Sequence, residues 1–221
     1  MATIRSQFPH YIFDLDGTLT DSSIPICAGL VRSLEEVGIS GIKPEETRHW
    51  IGRPLTEIFD SYLLHHQERT ADTETFAIML QAYREGHDAL FPQDVKIYPQ
   101  ALETLAKLRE RGATIAVATT KYQEAAEFVV HGLGIADYVD QICGTDLGKP
   151  VKPDPFIIHL ALEKLEAAPE ETLVVGDTDA DVLAAHAAGC KAAAVRFGFG
   201  DKADLEEAKP DLWLDSLADL L

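Results

Sequence analysis

Two different patterns of apolar and polar positions occur in two parts of the chain. From Pro99 onwards, short apolar runs alternate with segments whose apolar residues recur every three or four positions. The short runs predict buried strands, and the three- and four-residue steps predict helices. Strands that alternate with helices pair in parallel and carry helices on both faces of one sheet. We therefore predict a doubly wound α/β sheet with strands at Thr114–Ala118, Tyr138–Cys143, Leu173–Val175, Ala192–Val195 and, as a short last strand, Trp213–Leu214.

Residues 21–92 interrupt this alternation with helical patterns alone. Ile26, Leu30 and Leu34, for example, follow one another at helical spacing. The apolar run at residues 9–14 precedes the interruption and must supply the first strand of the sheet. We therefore predict an α/β core domain of residues 1–20 and 93–221, with an inserted helical domain of residues 21–92.

The composition is ordinary for a globular protein of 221 residues, with 46% hydrophobic and 25% charged residues. The net charge of −18 argues against nucleic acid and anionic membranes as partners, since both bind basic surfaces. No apolar run approaches the roughly 18 residues of a membrane span, and none follows the N-terminus as in a signal sequence. We expect a cytoplasmic protein in which Cys27, Cys143 and Cys190 are reduced core residues.

Candidate chemistry begins where the first strand ends, at Asp14-Leu15-Asp16-Gly17-Thr18. In an extended segment residues i and i+2 point to the same side, so Asp14 and Asp16 can face one site. Two close carboxylates repel each other unless a cation or a shared proton lies between them. In open α/β sheets ligands bind beyond the carboxyl ends of the strands, so the residues after the other strands matter as well.

The second strand is followed by Thr119, Thr120 and Lys121. A hydroxyl at this position can donate to a phosphate oxygen, which the N-terminus of the next helix also attracts. The alternative is that one of the two threonines only caps that helix. In the next loop Lys152 can neutralise phosphate charge or can simply be solvated; it is a better candidate than Lys149 because Lys152-Pro153 directly precedes a helix.

The fourth strand is followed by a group of acids, Asp177, Asp179 and Asp181. Acids directly after a buried strand indicate a site for a hard cation, although they also suit a helix N-terminus. Asp181 lies four residues after Asp177 and can face the same side of the helix. Asp179 points elsewhere by the same periodicity, and we interpret it as a capping or solvent-exposed residue.

These four motifs, in this order, resemble those of the haloacid dehalogenase (HAD) superfamily of phosphohydrolases. The helical insertion resembles the cap domain of the subgroup that includes phosphoglycolate phosphatases and β-phosphoglucomutase. Many phosphoglycolate phosphatase-like members have Thr-Asn-Lys where this chain has Thr-Thr-Lys, which weakens assignment to one named subgroup. The motifs are Asp14-x-Asp16-Gly17-Thr18, Thr119, Lys152-Pro153-x-Pro155 and Gly176-Asp177-x-x-x-Asp181.

The resemblance implies a role for each site residue. Asp14 would be the nucleophile that becomes phosphorylated, and Asp16 the general acid and base. Thr119, Thr120 and Lys152 would bind phosphate. Mg²⁺ would be held by the Asp14 carboxylate, the Asp16 backbone carbonyl and Asp177, while Asp181 would hold a water or orient a neighbour. Arg53 of the cap is either a contact for a second anionic group of the substrate or a surface arginine.

The predicted function is therefore a Mg²⁺-dependent phosphatase for a small phosphorylated metabolite, with phosphoglycolate as the default substrate, in a monomer or homodimer. One alternative is a phosphomutase of the β-phosphoglucomutase type, which would use the same residues. Another is a non-catalytic binding or regulatory protein on the same fold. A dehalogenase is disfavoured because Asp16 and the metal-binding acids have no evident role in it, and a phosphonatase because Asp16 is the residue that phosphate-ester cleavage requires.

Overall fold

In a computed structural model of the chain, residues 8–221 are described, and they form eight strands. The strand at residues 9–14 and those after residue 113 lie close to the predicted positions. Two further strands of two residues each flank the helical insertion. The strands are β1 His10–Phe13, β2 Thr20–Asp21, β3 Lys96–Ile97, β4 Thr114–Tyr122, β5 Gln141–Thr145, β6 Thr172–Gly176, β7 Lys191–Val195 and β8 Leu212–Leu214.

Six of these strands form the central sheet, in the order β5-β4-β1-β6-β7-β8, while β2 and β3 pair separately. All neighbouring strands of the large sheet are parallel, which confirms the predicted doubly wound α/β fold. The chain proceeds outwards from β1 to β4 and β5, and then crosses to β6 on the other side of β1. The order of the strands thus reverses at β1, and a crevice for ligands is expected beyond its carboxyl end.

Helices lie in the segments between the strands, where the three- and four-residue steps predict them. The helix after β4 begins only at Gln123, because β4 continues to Tyr122. A helix at residues 202–208 follows β7, where Asp201 accepts hydrogen bonds from the amides of Ala203 and Asp204. A 3₁₀ turn at Leu217–Leu220 follows β8. The helices are α1 Ser23–Glu36, α2 Pro44–Thr47, α3 Leu55–Gln67, α4 Thr73–Asp88, α5 Ala101–Glu110, α6 Gln123–Gly132, α7 Phe156–Leu165, α8 Asp179–Ala187 and α9 Lys202–Ala208.

The chain separates into two compact units, one that continues to Thr20 and resumes at Ile97–Leu221, and one of Asp21–Lys96. In the first unit, Ile12 lies beside Ala116 on β4 and beside Val174 on β6. These side chains belong to a buried cluster that α7 and α8 cover with their apolar faces. β1 is therefore buried inside the sheet, and only the residues after its carboxyl end can meet a ligand.

The second unit consists of helices α1 to α4 and the short turns between them. Helix α1 buries Ile26, Leu30 and Leu34, the residues whose spacing predicted it, and packs against α4. Met79, Ala82 and His87 are the buried positions of α4. None of the helices in residues 8–221 combines the length and the apolar character that crossing a membrane requires.

All three cysteines are buried, at no more than 5% exposure, and burial raises the pKa of each thiol, that of Cys190 to about 11. Because the thiolate is the reactive form, the folded protein should react slowly with a disulfide reagent at pH 8. Absorbance after addition of Ellman's reagent measures this. We expect three thiols to react promptly in denaturant and none in its absence. A thiol that reacts promptly in the native protein would contradict the prediction.

Candidate active site

The site lies where β1 ends, between β4 and β6. The amide of Asp14 donates to the carbonyl of Val175 on β6 at 2.8 Å, so Asp14 continues the ladder as its last residue. The residue is 8% exposed. Within residues 8–221, the Asp14, Asp177 and Asp181 carboxylates form a group whose oxygens lie within 4.8 Å of one another. The parallel strands thus bring the two acids of the distant fourth motif together with Asp14 of the first.

Lys152 connects two of these acids. Its Nζ donates to Oδ1 of Asp14 at 2.7 Å and to Oδ1 of Asp181 at 2.6 Å, and its side chain is 3% exposed. The other oxygen of Asp181 accepts from the amide and the hydroxyl of Thr178, the N-cap of α8. Asp181 therefore holds Lys152 with one oxygen and caps its own helix with the other.

Asp177 is enclosed by two loops. Its Oδ2 accepts from the amide of Phe199 at 2.7 Å, and its Oδ1 lies 3.4 Å from the hydroxyl of Thr18. Gly17, with a φ of +100°, and Gly198 pass so close that a Cβ on either would overlap the Asp177 carboxylate. The loop at residues 196–200 is thus part of the site; its only signal in the sequence is the pair of glycines around Phe199.

Burial is the largest cause of the shifted pKa values in this group of acids. It raises the pKa of Asp14 to about 7, and Asp181 adds to the rise while Lys152 opposes it. Burial also raises the pKa of Asp177 well above its usual value, with Asp14 and Asp181 as further causes. For Lys152, burial lowers the pKa, but the Asp14 and Asp181 carboxylates outweigh it and raise that pKa. The lysine therefore stays charged, and the carboxylates need more positive charge to ionise fully at neutral pH.

Asp16 has a different cationic partner. Its Oδ2 lies 2.9 Å from Nζ of Lys121, and both side chains are close to 10% exposed. Asp14 and Asp16 thus face different ammonium groups although they are two residues apart. Reasoning from the sequence left Lys121 without a role. Its position directly after the two threonines near the carboxyl end of β4, the strand beside β1, is the signal that could have identified it.

Of the remaining predicted site residues, Thr119 and Thr120 lie in the first unit and Arg53 lies in the second. Thr119 is fully buried, and its Oγ1 accepts from the amide of Lys121 at 3.3 Å. It lies on β4, two residues beyond Val117, which pairs with Phe13 just before Asp14, and the half-buried Thr120 comes next. The alternative in which a threonine caps the helix is wrong, because Tyr122 is the residue before α6. Arg53 belongs to the second unit, where its half-exposed side chain lies 3.9 Å from Glu57.

The donor set fits a hard divalent cation. It consists of carboxylate oxygens, which are the ligands that Mg²⁺ and Ca²⁺ prefer. With Asp14, Asp16, Asp177 and Asp181 ionised, the lysines that pair with them balance only half of the negative charge, which leaves two charges uncompensated. The raised pKa values of Asp14 and Asp177 express the same deficit of positive charge.

Comparison with known proteins extends over nearly the whole chain. The model of the haloacid dehalogenase-like hydrolase family matches residues 11–195. A Pectobacterium atrosepticum protein named phosphoglycolate phosphatase is 34% identical over 213 residues, 95% of this chain and 89% of that protein. A Bacillus cereus protein named pyrophosphatase PpaX is 31% identical over 210 residues, 95% of this chain and 93% of that one. A crystal structure of a predicted phosphoglycolate phosphatase from Haemophilus somnus has a TM-score of 0.85 at 26% identity, with 97% of each chain covered.

Proposed function

Because the chain belongs to the haloacid dehalogenase-like hydrolases and is a phosphatase of that family, we propose that it hydrolyses small phosphomonoesters such as phosphoglycolate with the help of Mg²⁺. One observation carries the proposal. Asp14 and Asp16 emerge from the end of the same strand, yet Asp14 pairs with Lys152 and Asp16 with Lys121. Two carboxylates in different surroundings suit two different tasks in one reaction.

In the first step an oxygen of Asp14 attacks the phosphorus, and the bond to the leaving oxygen breaks. The phosphoryl group is then carried by Asp14, which divides a difficult hydrolysis into two easier steps. Lys152 orients the Asp14 carboxylate through its 2.7 Å hydrogen bond and opposes the charge on the phosphoryl oxygens. The hydroxyl of Thr119 binds another of these oxygens, and Thr120 lies next to it in the chain.

Asp16 moves the protons. It gives a proton to the leaving oxygen in the first step and takes one from the attacking water in the second. In the second step the water oxygen bonds to phosphorus, the bond to Asp14 breaks, and inorganic phosphate leaves. Asp14 and Asp16 are thereby restored to their starting states.

The carboxylates of Asp14 and Asp177 and the backbone carbonyl of Asp16 would hold Mg²⁺. The bound ion would shield the like charges of the nucleophile and the phosphate. Asp181 has a supporting role in this assignment, because its oxygens accept hydrogen bonds from Lys152 and Thr178. The contact of Arg53 with a substrate group stays a prediction.

The positioned acid favours a phosphomonoester over pyrophosphate as substrate. An alkoxide is a strong base and leaves readily only when it is protonated, so Asp16 contributes most to such substrates. Phosphate is a much weaker base and needs this help less. The higher identity to the protein named phosphoglycolate phosphatase supports the same choice.

A comparison of three substrates tests the proposal. With Mg²⁺ present, kcat/KM for phosphoglycolate should exceed that for pyrophosphate and β-glucose 1-phosphate by at least about tenfold. Released phosphate is measured, with a correction for the two phosphates that each pyrophosphate yields. Protein carrying Asp14→Asn, purified in the same way, shows how much activity comes from contaminating phosphatases.

Two outcomes would contradict the proposal. A preference for pyrophosphate would assign the chain the activity in the name of its Bacillus cereus relative. Conversion of β-glucose 1-phosphate to the 6-phosphate, dependent on a sugar bisphosphate and without release of phosphate, would indicate a mutase.

A further inference from the structure

We propose that Lys121 is a positioning residue that orients the carboxyl group of Asp16 toward the leaving oxygen. The inference rests on the proposed function, in which Asp16 is the general acid. Nζ of Lys121 lies 2.9 Å from Oδ2 of Asp16. Lys152 pairs with Asp14 and Asp181, so each lysine has its own carboxylate partners.

The backbone around Lys121 is held in place by β5. The pairing of β4 with β5 is regular to Ala118, shifts over the next residues and resumes at Tyr122, which is paired with Thr145. Gly144 on β5 passes so close that a Cβ there would lie 2.9 Å from the carbonyl oxygen of Lys121. The segment that carries Lys121 is therefore an irregular strand end, fixed against its neighbour by close backbone packing.

A side chain strengthens this attachment. Gln123, the first residue of α6, accepts from the amide of Gly144 at 2.6 Å and donates to the carbonyl of Ile142 at 3.1 Å. On the other side, the amide of Lys121 donates to the hydroxyl oxygen of Thr119. The position of Lys121 is thus determined by the residues before and after it in the chain.

The burial of the ion pair makes it a durable constraint. An ammonium or a carboxylate that is almost excluded from water is costly without a partner, so neither group gains by turning away. Charge-assisted hydrogen bonds are also shorter and stronger than neutral ones. With Oδ2 held by Lys121, the plane of the Asp16 carboxyl group has one preferred orientation.

This orientation matters for the proton transfer. Oδ2 accepts from the ammonium, so the proton that Asp16 delivers is carried by the other oxygen. When the proton passes to the leaving oxygen, a carboxylate forms beside Lys121, and the ammonium stabilises it. Loss of Lys121 should therefore slow the hydrolysis of every ester that needs the proton from Asp16. The effect should be largest for the esters with the most basic leaving groups.

A series of aryl phosphates, from p-nitrophenyl to p-methoxyphenyl phosphate, tests this. The value of kcat/KM reports the first phosphoryl transfer, in which the leaving group departs. In Lys121→Met we expect kcat/KM for the p-methoxyphenyl ester to fall at least about tenfold more than for the p-nitrophenyl ester. Asp16→Asn should show the same pattern to a larger degree. If Lys121 had only a structural role, its replacement would lower kcat/KM for both esters by the same factor.

The comparison with Asp16→Asn separates the inference from the proposed function. If kcat/KM depends more steeply on the basicity of the leaving group in Asp16→Asn but not in Lys121→Met, the inference is overturned and the acid role of Asp16 stands. If neither variant steepens it, the acid role is wrong and the inference falls with it. A higher KM for every ester in Lys121→Met, with an unchanged dependence, would make Lys121 a phosphate ligand and would also overturn the inference.

Two further variants complete the experiment. Lys107→Met removes the same charge from an exposed pair with Glu103 on α5 and should leave the dependence on the leaving group unchanged. Circular dichroism and the melting temperature establish that each variant is folded. If Lys121→Met does not fold, Lys121→Gln is measured instead, since it removes the charge but keeps a hydrogen-bond donor.

Discussion

Replacing Asp14 with asparagine should lower kcat/KM for phosphoglycolate by on the order of 10⁴-fold or more and leave the fold intact. Loss of a nucleophile removes the covalent route altogether, and such losses are among the largest in enzyme variants. Asparagine has nearly the same shape as aspartate, and its carbonyl oxygen can still accept from Lys152. Because burial raises the pKa of Asp14 to about 7, removal of its charge should not destabilise the metal-free protein.

Phosphate release and thermal melting measure the two halves of this prediction. Asparagine can deamidate back to aspartate, so the mass of the variant is determined before each assay. Asp137→Asn is a matched control, since it makes the same chemical change at an exposed position of a 3₁₀ turn. Turnover of the mass-verified Asp14→Asn protein at the parental rate would show that another group attacks the phosphorus.

Removal of divalent metal should abolish turnover, and addition of Mg²⁺ should restore it. When all four carboxylates are ionised, they exceed the two lysines by two negative charges, and the phosphate of a substrate adds more. Without a cation, the substrate would have to approach a site of its own sign. Phosphate release is assayed after treatment with a chelator and again during titration with Mg²⁺. Undiminished activity in excess chelator would remove the metal from the proposal.

Comparison of the variants Asp177→Asn and Asp179→Asn tests which acid binds the metal. Asp177 belongs to the buried carboxylate group, whereas Asp179 is only the first residue of α8. We expect Asp177→Asn to raise the Mg²⁺ concentration for half-maximal activity by at least about tenfold, since it removes a charged ligand. Asp179→Asn should leave this concentration unchanged. Binding to the folded state also raises the melting temperature, so thermal melting with and without Mg²⁺ gives a second reading that does not depend on turnover.

The fold was predictable because its signals are local and repeated. Each buried strand is a short apolar run, and each helix shows its own three- and four-residue period. The limits were less accurate where long-range pairing prevails over local preference. β4, for instance, continues to Tyr122 because Thr145 of β5 pairs with it there, and α6 begins later as a result.

The sequence by itself determined which acids and which lysine would meet. Asp14 and Asp177 directly follow strands of the parallel sheet, and Lys152 lies in the loop before a helix that connects two of its strands. The carboxyl ends of parallel strands lie along one edge of the sheet. Such residues converge whatever the details of the loops. The resemblance to the haloacid dehalogenase superfamily then supplied their expected roles, and the family comparison confirmed the membership.

Only the tertiary structure decided how these groups are paired. That Lys152 joins Asp14 to Asp181, that Lys121 belongs to Asp16, and that the amide of Phe199 donates to Asp177 were not predictable from spacing. Each pairing depends on an irregular strand end or a loop whose path is set by packing against distant residues. A hydrogen bond requires its atoms to be placed within a few tenths of an ångström. Sequence periodicity specifies the face and the end of an element, and it does not reach that precision.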